Sequence, residues 1–482
     1  MAHGERVLTL TTRGSYRQDF TEGSIPRHLI TFSLPMFLGN VLQALYNTVD
    51  SIWVGRYLGK EGLASVSVSF PIIFAVVALA MGIGMATTTL VAQYSGARDT
   101  GMVRKSIANS LLLTLVVGGV SSALGVIFRR ELLALINTPQ EIMDWASDYL
   151  GIILGGVFAT FIYNLVSAVM RGLGDSRTPL IFLTYATVLN IILDPLLIFG
   201  IGPFPYMGVS GAALATIIAQ AFSGILGIRH MMKHGYLTLD REDWRVDFRL
   251  VRLTFGIGLP AGVQQVIVSL GMLTMTSLVN RFGSSVTAAF GVGGRLDQFA
   301  FMPAMTMGLA VTSLVGQNLG AGKHERVKEV VRWSILMTVG ITSVVSLVAL
   351  LFPRPLLSTF TSDPDVLKEG IGYLRIVAFA YIPYALMFML SGILRGAGDT
   401  VPSMLISIIT LWCVRIPLAM RFSKAMGSRG IWLGLAISPA IGASLNYLYF
   451  LSGRWKTRAV TRKPEEQGPV SVEANGGKEV VP

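Results

Sequence analysis

Long apolar runs alternate with short polar segments along most of the chain. Twelve of the runs contain about 20 residues, the length that an α-helix needs to cross a bilayer. They are too continuous for the strands of a membrane barrel, which alternate apolar and polar positions. The pattern predicts an all-α polytopic membrane protein of about twelve transmembrane helices. The predicted spans lie near residues 29–55, 64–90, 106–128, 146–169, 179–200, 209–229, 252–280, 286–314, 331–352, 371–393, 402–420 and 430–451.

The composition agrees with a lipid environment. Only 14% of the 482 residues are charged, 52% are hydrophobic, and the mean hydropathy is +0.61. A soluble domain carries roughly a quarter charged residues, so this chain has too little polar surface to face water on every side. The net charge of +12 could suggest a nucleic-acid partner, but positive loops beside a membrane explain it better. The single cysteine, Cys413, excludes an intrachain disulfide and is expected to be buried and inert.

The distribution of basic residues predicts the orientation. With the N-terminus inside, 26 of the 39 lysines and arginines fall in inner segments and 10 in outer loops. This bias places both termini in the cytoplasm, for a multi-pass protein of the inner (plasma) membrane. No cleavable signal peptide is expected at the N-terminus. The predicted regions are a cytoplasmic N-tail (1–27), an N-lobe (28–230), a cytoplasmic linker loop (231–250), a C-lobe (251–452) and a disordered cytoplasmic C-tail (453–482).

The two halves of the chain repeat at an offset of about 224 residues. The segment Met170–Asp175 corresponds to Leu394–Asp399, and Gly84 corresponds to Gly308. Six spans in each copy is an even number, so both copies insert with the same orientation. We therefore expect two pseudo-symmetric six-helix lobes related by an axis along the membrane normal, with substrate bound between or within them near mid-membrane.

The motifs of the two halves resemble the multidrug and toxic compound extrusion (MATE) family over about residues 25–452. The residues that carry the resemblance are the RGxGD turns at Arg171–Asp175 and Arg395–Asp399, Pro35 and Pro260, the run Asn47–Asp50 followed by Trp53-Val54-Gly55, and the run Gly316–Gly322. The resemblance implies a monomeric, cation-coupled antiporter that exports amphipathic, often cationic compounds by alternating access. The wider superfamily also contains flippases of lipid-linked intermediates, which is the alternative function.

The RGxGD turns also have a structural interpretation. Glycine permits tight turns, and Asp175 and Asp399 can cap the helix that follows or pair with a basic neighbour. A hinge or cap is favoured over a direct contact with substrate.

Three acids lie inside predicted spans: Asp50, Asp194 and Asp297. Each costs about 2.5–3.5 kcal/mol at the centre of a bilayer and therefore requires a functional or structural reason. Asn190 lies four residues before Asp194, so the two side chains share a helix face. Pro195 removes a backbone hydrogen bond and predicts a kink beside the acid.

The resemblance assigns these residues more closely. In the archaeal and DinF-type branch of the family, an acid in span one and an Asn-x-x-x-Asp in span five form the cation site of the N-lobe, and Asp50, Asn190 and Asp194 match it. Gln43 matches a polar position of the same cavity. Further cavity residues are predicted at Tyr163, Asn164 and Thr216.

Buried paired acids suit proton coupling. A low-dielectric cavity favours the neutral form of a carboxyl, and a second carboxyl nearby strengthens that preference, so one of the pair can hold a proton and release it. The alternative is that Asp50 and Asp194 are hydrogen-bonded structural groups. Met275 and Ile416 occupy the corresponding positions of the second half, and span seven lacks an acid. We therefore expect coupling in the N-lobe, with protons favoured over sodium.

Asp297 of span eight has no predicted partner on its own helix. Arg295 is two residues away and does not face it. Arg415 of span eleven is a candidate partner, and both a structural ion pair and a contact with substrate are open.

Other function classes find no support in the motifs. The chain has no HExxH zinc motif, no GxxxxGK[ST] nucleotide loop and no GxSxG elbow. We therefore expect no enzyme activity, no catalytic residues, no bound metal and no cofactor beyond the transported ion. A channel fits the two-lobe repeat less well than alternating access does, and the acidic residues of an otherwise apolar N-lobe disfavour a lipid flippase.

Overall fold

The structure of the protein, a computed structural model, describes residues 16–461, which form helices joined by short loops. The helices of the first half are α1 (Ile25–Tyr57), α2 (Gly59–Gly96), α3 (Thr100–Ile127), α4 (Arg129–Leu135), α5 (Gln140–Gly155), α6 (Val157–Gly172), α7 (Arg177–Phe199) and α8 (Val209–Lys233). The helices of the second half are α9 (Phe248–Asn280), α10 (Ser284–Gly320), α11 (His324–Leu351), α12 (Pro353–Ser358), α13 (Pro364–Val377), α14 (Tyr381–Gly396), α15 (Thr400–Ile408), α16 (Ile416–Met426) and α17 (Ser428–Leu451).

These helices confirm the predicted all-α membrane architecture. Within residues 16–461, eleven spans are long and apolar enough to cross a membrane, or twelve if α5 and α6 count as one crossing bent by 46°. A 3₁₀ turn at Ala378–Ala380 joins α13 to α14, and a π-helical segment at Ile409–Arg415 joins α15 to α16. The helix α7 continues through Pro195 and ends at Phe199.

The internal repeat of the sequence is accompanied by equivalent hydrogen bonds between helices in the two lobes. In the N-lobe, the Thr88 hydroxyl of α2 donates to the carbonyl of Ala168 in α6 at 3.0 Å. In the C-lobe, the Thr312 hydroxyl of α10 donates to the carbonyl of Gly392 in α14, also at 3.0 Å. Donor and acceptor positions both differ by 224 residues between the lobes. The two lobes therefore share one packing scheme as well as one set of motifs.

Glycines bring the two lobes into contact where α2 crosses α9. A Cβ on Gly82 would lie 2.5 Å from the carbonyl oxygen of Gly258, and a Cβ on Gly258 would lie 2.8 Å from the carbonyl oxygen of Gly82. The obstructing atoms are backbone atoms, which cannot rotate away. Small residues that let helix backbones approach in this way are typical of helix contacts in membranes.

Two glutamines join the lobes at the end of the molecule where the described part of the chain begins and ends. Gln93 of the N-lobe donates its Nε2 to the carbonyl of Gly396 in the C-lobe at 2.9 Å. Gln317 of the C-lobe donates its Nε2 to the carbonyl of Gly172 in the N-lobe at 3.0 Å. Both side chains are buried. We call Gln93 and Gln317 the latch glutamines, because the two bonds hold this end closed.

The chain ends reinforce the same closure. The backbone N–H of Phe20 donates to Oε1 of Gln317 at 3.1 Å, and the backbone N–H of Val460 donates to Oε1 of Gln93 at 2.6 Å. Residues 453–461, expected to begin a disordered tail, are instead folded around the buried ring of Trp455. Phe20 and Trp455 belong to one buried apolar cluster, and burial of their rings stabilises the segments around them. The polar composition of these segments does not reveal that contribution. Residues 1–15 and 462–482 of the predicted tails lie outside the described part of the chain.

The two RGxGD aspartates have different roles. Asp175 accepts hydrogen bonds from the backbone N–H groups of Arg177 and Thr178, both at 3.0 Å, and thereby caps α7 as predicted. Asp399 does not cap α15, and no lysine, arginine or histidine within residues 16–461 forms an ion pair with it. It accepts from the hydroxyl of Tyr449 at 2.6 Å instead.

Replacing Asp175 by alanine is expected to destabilise the protein by about 0.5–2 kcal/mol, because two N–H groups at the start of α7 lose their acceptor. A thermal unfolding scan in detergent measures the effect as a lower apparent melting temperature. Asp399→Ala is the matched control and should shift the midpoint less, since it leaves no helix start uncapped. Equal shifts for both variants would contradict the capping role.

The prediction for Cys413 is wrong. Its side chain is exposed, because the buried positions of the π-helical segment are Thr410, Leu411 and Arg415.

Candidate functional site

The N-lobe brings three predicted site residues together. Asn190 and Asp194 lie one turn apart on α7, both fully buried, and Nδ2 of Asn190 donates to Oδ1 of Asp194 at 3.1 Å. Asp50 of α1 lies close enough for its carboxyl to interact electrostatically with that of Asp194. Two neighbouring helices thus present two carboxyls and one amide to the same buried region.

The oxygens of this group are not satisfied by the protein. Asp50 Oδ1, Asn190 Oδ1 and Asp194 Oδ2 are each buried and have no hydrogen-bond partner within residues 16–461. A buried polar atom without a partner costs about 1–3 kcal/mol, and an ionised one costs more. Three such atoms in one region are the arrangement expected of a site that takes up a proton or a small cation. Oxygen ligands of this kind suit both.

Two tyrosines border the acidic group. Tyr46 lies one turn before Asp50 on α1, and its hydroxyl donates to Oγ1 of Thr216 in α8 at 3.1 Å. Tyr149 of α5 interacts electrostatically with both acids. Both rings are buried. Each tyrosine thus places an apolar ring and a polar hydroxyl beside the carboxyls.

A cavity of about 330 Å³ opens on the N-lobe side of the lobe interface. Residues from α1, α2, α6 and α7 form most of its wall, and Leu309 and Thr312 of α10 close it from the C-lobe. A smaller cavity shares Gln43, Tyr163 and Leu183 with it and is also lined by Tyr46. The two cavities together extend from the lobe interface toward the acidic group.

The other predicted cavity residues fall into three classes. Gln43 and Tyr163 line both cavities, and Asn164 lines the larger one. Thr216 lines neither and instead anchors Tyr46. Asp297 lies in the C-lobe and is not part of either cavity.

Asp297 has partners other than the predicted one. It accepts hydrogen bonds from the hydroxyls of Tyr373 and Tyr381, the latter at 2.7 Å. Arg415 does not form the predicted ion pair. Its Nε donates to Oγ of Ser438 at 2.8 Å, and its guanidinium lies 5.7 Å from the ring centroid of Tyr384. Two hydroxyl donors therefore satisfy the carboxyl without an ion pair.

Sequence reasoning missed several residues of the site. Tyr46, Tyr149, Thr187 and Gln220 surround the acids or line the smaller cavity. Tyr46 could have been identified from the sequence, because it lies four residues before Asp50 and shares its helix face. Tyr149 and Gln220 belong to other helices, and only the packing of α5 and α8 brings them near.

Curated relatives match most of the chain. It is 35% identical to the probable multidrug resistance protein YpnP of Bacillus subtilis, over 91% of this chain and 97% of that protein. It is 32% identical to the probable multidrug resistance protein NorM of Thermotoga maritima, over 90% of this chain and 94% of that protein.

A family model and a solved structure agree with these relatives. The model described as MatE matches residues 35–196 and again residues 260–420, once in each half. The structure described as the outward-facing conformation of a multidrug resistance MATE family transporter of the MOP superfamily superposes with a TM-score of 0.84. It is 25% identical and covers 91% of this chain and 98% of that one.

Proposed function

Because the chain belongs to the MATE family and is a multi-pass membrane transporter, we propose that it exports amphipathic, often cationic compounds in exchange for protons. The observation that carries the proposal is the buried group of Asp50, Asn190 and Asp194, with three oxygens that no described residue satisfies. The relatives named as multidrug resistance proteins support export of drugs or toxic compounds as the direction and cargo.

The surroundings of the two acids support proton coupling. Asp194 is fully buried and Asp50 half-buried, and the fully ionised pair would place two like charges in a low-dielectric region. No lysine, arginine or histidine of the described chain forms an ion pair with either acid. Protonation of one carboxyl removes the repulsion, and entry of a cationic substrate or access to the outside releases that proton. Sodium is the second candidate ion, since oxygen ligands also suit it.

Alternating access provides the transport cycle. The latch glutamines and the two chain ends close one end of the interface between the lobes. With the termini in the cytoplasm, as proposed, closure of this end supports an outward-facing state, the conformation named for the solved structure described above. Loss of the latch contacts and closure of the opposite end would give the inward-facing state.

A lipid-intermediate flippase is the alternative function on the same fold. The names of the relatives do not favour it, and the acidic group supports ion exchange. We propose a monomer as the working unit, because one chain supplies both lobes of the pathway, and the plasma membrane as its location.

Ethidium efflux tests the proposal. Cells that lack their own multidrug exporters express the wild type, and dye efflux is followed with and without a protonophore, in sodium-containing and in sodium-free buffer. We expect efflux that the protonophore stops and that sodium removal leaves unchanged. Efflux that depends on sodium would replace the proton by sodium. No efflux beyond that of cells carrying the empty vector, at verified membrane expression, would contradict export of cationic dyes.

A further inference from the structure

We propose that Arg171 binds an oxyanion, a carboxylate or phosphate, carried by an amphipathic ligand in the N-lobe cavity. The inference rests on the proposed function, because it specifies the chemistry of the compounds that the cavity accepts. It adds a basic residue to a transport pathway in which the charged site residues described so far are acidic.

The first observation is an arginine without an internal partner. Arg171 lies in the last turn of α6 and is half-buried. Its Nε is buried and has no hydrogen-bond partner, and no described carboxylate forms an ion pair with its guanidinium. Buried charges in proteins are normally paired, because an uncompensated one is costly. The carbonyls at the C-terminal end of α6 compensate the charge only in part.

The second observation is the cavity that Arg171 lines. Among residues 16–461, no Asp or Glu lines this cavity, and Arg171 is the only charged side chain that does. The hydroxyl of Ser176, which has no hydrogen-bond partner in the described part of the chain, lines the same wall, and so does the amide of Asn164, which donates one of its two N–H groups to the carbonyl of Thr160. Such groups can orient an oxyanion, and the methionines and leucines of the cavity suit the apolar body of its carrier. A guanidinium presents a fork of donors that matches a carboxylate or a phosphate.

The third observation is the separation of the arginine from the acids. Pro35 lines the same cavity as Arg171, and Asp50 lies fifteen residues further along α1. That spacing corresponds to ~22 Å of helix, and Gln43, the cavity residue of α1 nearest to Asp50, lies seven residues or ~10 Å before it. An anionic group bound at Arg171 therefore does not meet the repulsion of Asp50 and Asp194 at contact distance. A zwitterionic compound could present its anionic end to Arg171 and its cationic end toward the acids.

The internal repeat supplies a matched control. Arg395 occupies the equivalent position of the C-lobe, in the last turn of α14, and its Nε is also buried without a partner. It does not line the N-lobe cavity. Replacing either arginine removes one positive charge from the last turn of an equivalent helix. A difference in dye binding between the two variants therefore reflects the position of Arg171 in the cavity, because the loss of charge is the same in both.

Two dyes that differ by one methyl group test the proposal. Rhodamine 110 carries a free carboxylate, and rhodamine 123 is its methyl ester. Binding of each is followed by fluorescence polarisation to the full chain in phosphatidylcholine nanodiscs, without any ion gradient. We expect the wild type to bind the acid roughly ten-fold more tightly than the ester, the effect of one charge-assisted hydrogen-bonded contact. Arg171→Gln should remove that preference without weakening the ester, and Arg171→Lys should keep part of it.

The control variant is Arg395→Gln, because Arg395 does not line the N-lobe cavity. Arg395→Gln should bind both dyes as the wild type does. Equal binding of acid and ester by the wild type, an unchanged preference in Arg171→Gln, or an equal loss in both glutamine variants would overturn the proposal. Binding of neither dye up to about 1 mM would overturn it as well.

A second arm identifies the source of the oxyanion. The titrations are repeated in nanodiscs that contain phosphatidylglycerol. If this lipid weakens the binding of the acid dye only when Arg171 is present, a lipid headgroup occupies the site. If it does not, the site takes a free substrate anion, and both results support the oxyanion chemistry. Because no gradient is involved, a protein that prefers the acid dye but fails to export ethidium contradicts the proposed function and leaves this inference standing.

Discussion

Asparagine in place of Asp194 or Asp50 is expected to reduce ethidium efflux to below about a tenth of the wild-type rate, because an amide of the same size cannot bind and release a proton. The change keeps the shape of the side chain, and Asn190 remains able to donate to the oxygen at position 194. Dye efflux at matched membrane expression measures the loss. A structural role of the acids predicts lower thermal stability instead, with efflux per folded molecule retained.

Asp297→Asn is the matched control for these variants. It also removes an intramembrane carboxylate, but the oxygens of Asp297 are already satisfied by Tyr373 and Tyr381, and it lies outside the N-lobe cavities. We expect its efflux to stay within about two-fold of the wild type. If Asp297→Asn abolishes efflux while Asp50→Asn and Asp194→Asn retain it, coupling belongs to the C-lobe and the assignment of the site is wrong.

Leucine in place of Gly96 is expected to open the end of the molecule where the latch glutamines lie. A Cβ on Gly96 would overlap the carbonyl oxygen of Gln317, and one on Gly320 would overlap that of Gln93. The obstacle is backbone, so no rotamer change can relieve it and the lobes must separate there. The measurement is a spin-label distance between Ala97→Cys and Glu325→Cys, in a Cys413→Ala background. We expect a distribution shifted to longer distances by several ångströms relative to the parent.

Gly119→Leu is the control for this prediction, since a Cβ at Gly119 meets no atom within 4 Å. It should leave the distance distribution unchanged. Should Gly96→Leu fail to insert, the combined Gln93→Ala and Gln317→Ala variant removes the hydrogen bonds of the latch without adding bulk. An unchanged distribution in a folded latch variant would contradict the role assigned to the two glutamines.

The fold was predictable because its signals are local or repeated. Runs of about 20 apolar residues specify the spans, and the correspondence of Arg171–Asp175 with Arg395–Asp399 specifies two equivalent lobes. The pairing of Asn190 with Asp194 follows from helix geometry alone. The cap by Asp175 is equally local, since its partners are two and three residues away.

The remaining features depend on contacts between distant segments. Gln317 bonds with Phe20 and Gly172, which lie 297 and 145 residues away in sequence. No periodicity reports such a contact, and neither the folded chain ends nor the latch glutamines could be predicted. The partners of Asp297 could not be predicted for the same reason, since the opposite charge of the candidate Arg415 is visible in a sequence while the position of two tyrosine hydroxyls is not.

The central claim is that the N-lobe acids exchange a proton for substrate, and proton release on binding tests it most directly. Ethidium is added to the purified protein in weakly buffered detergent solution near neutral pH, and a pH-indicator dye reports released protons. We expect about one proton per bound ethidium from the wild type, the same with or without sodium, and none from Asp50→Asn or Asp194→Asn. Ethidium binding by the wild type without proton release, or equal release from the wild type and the asparagine variants, would contradict it.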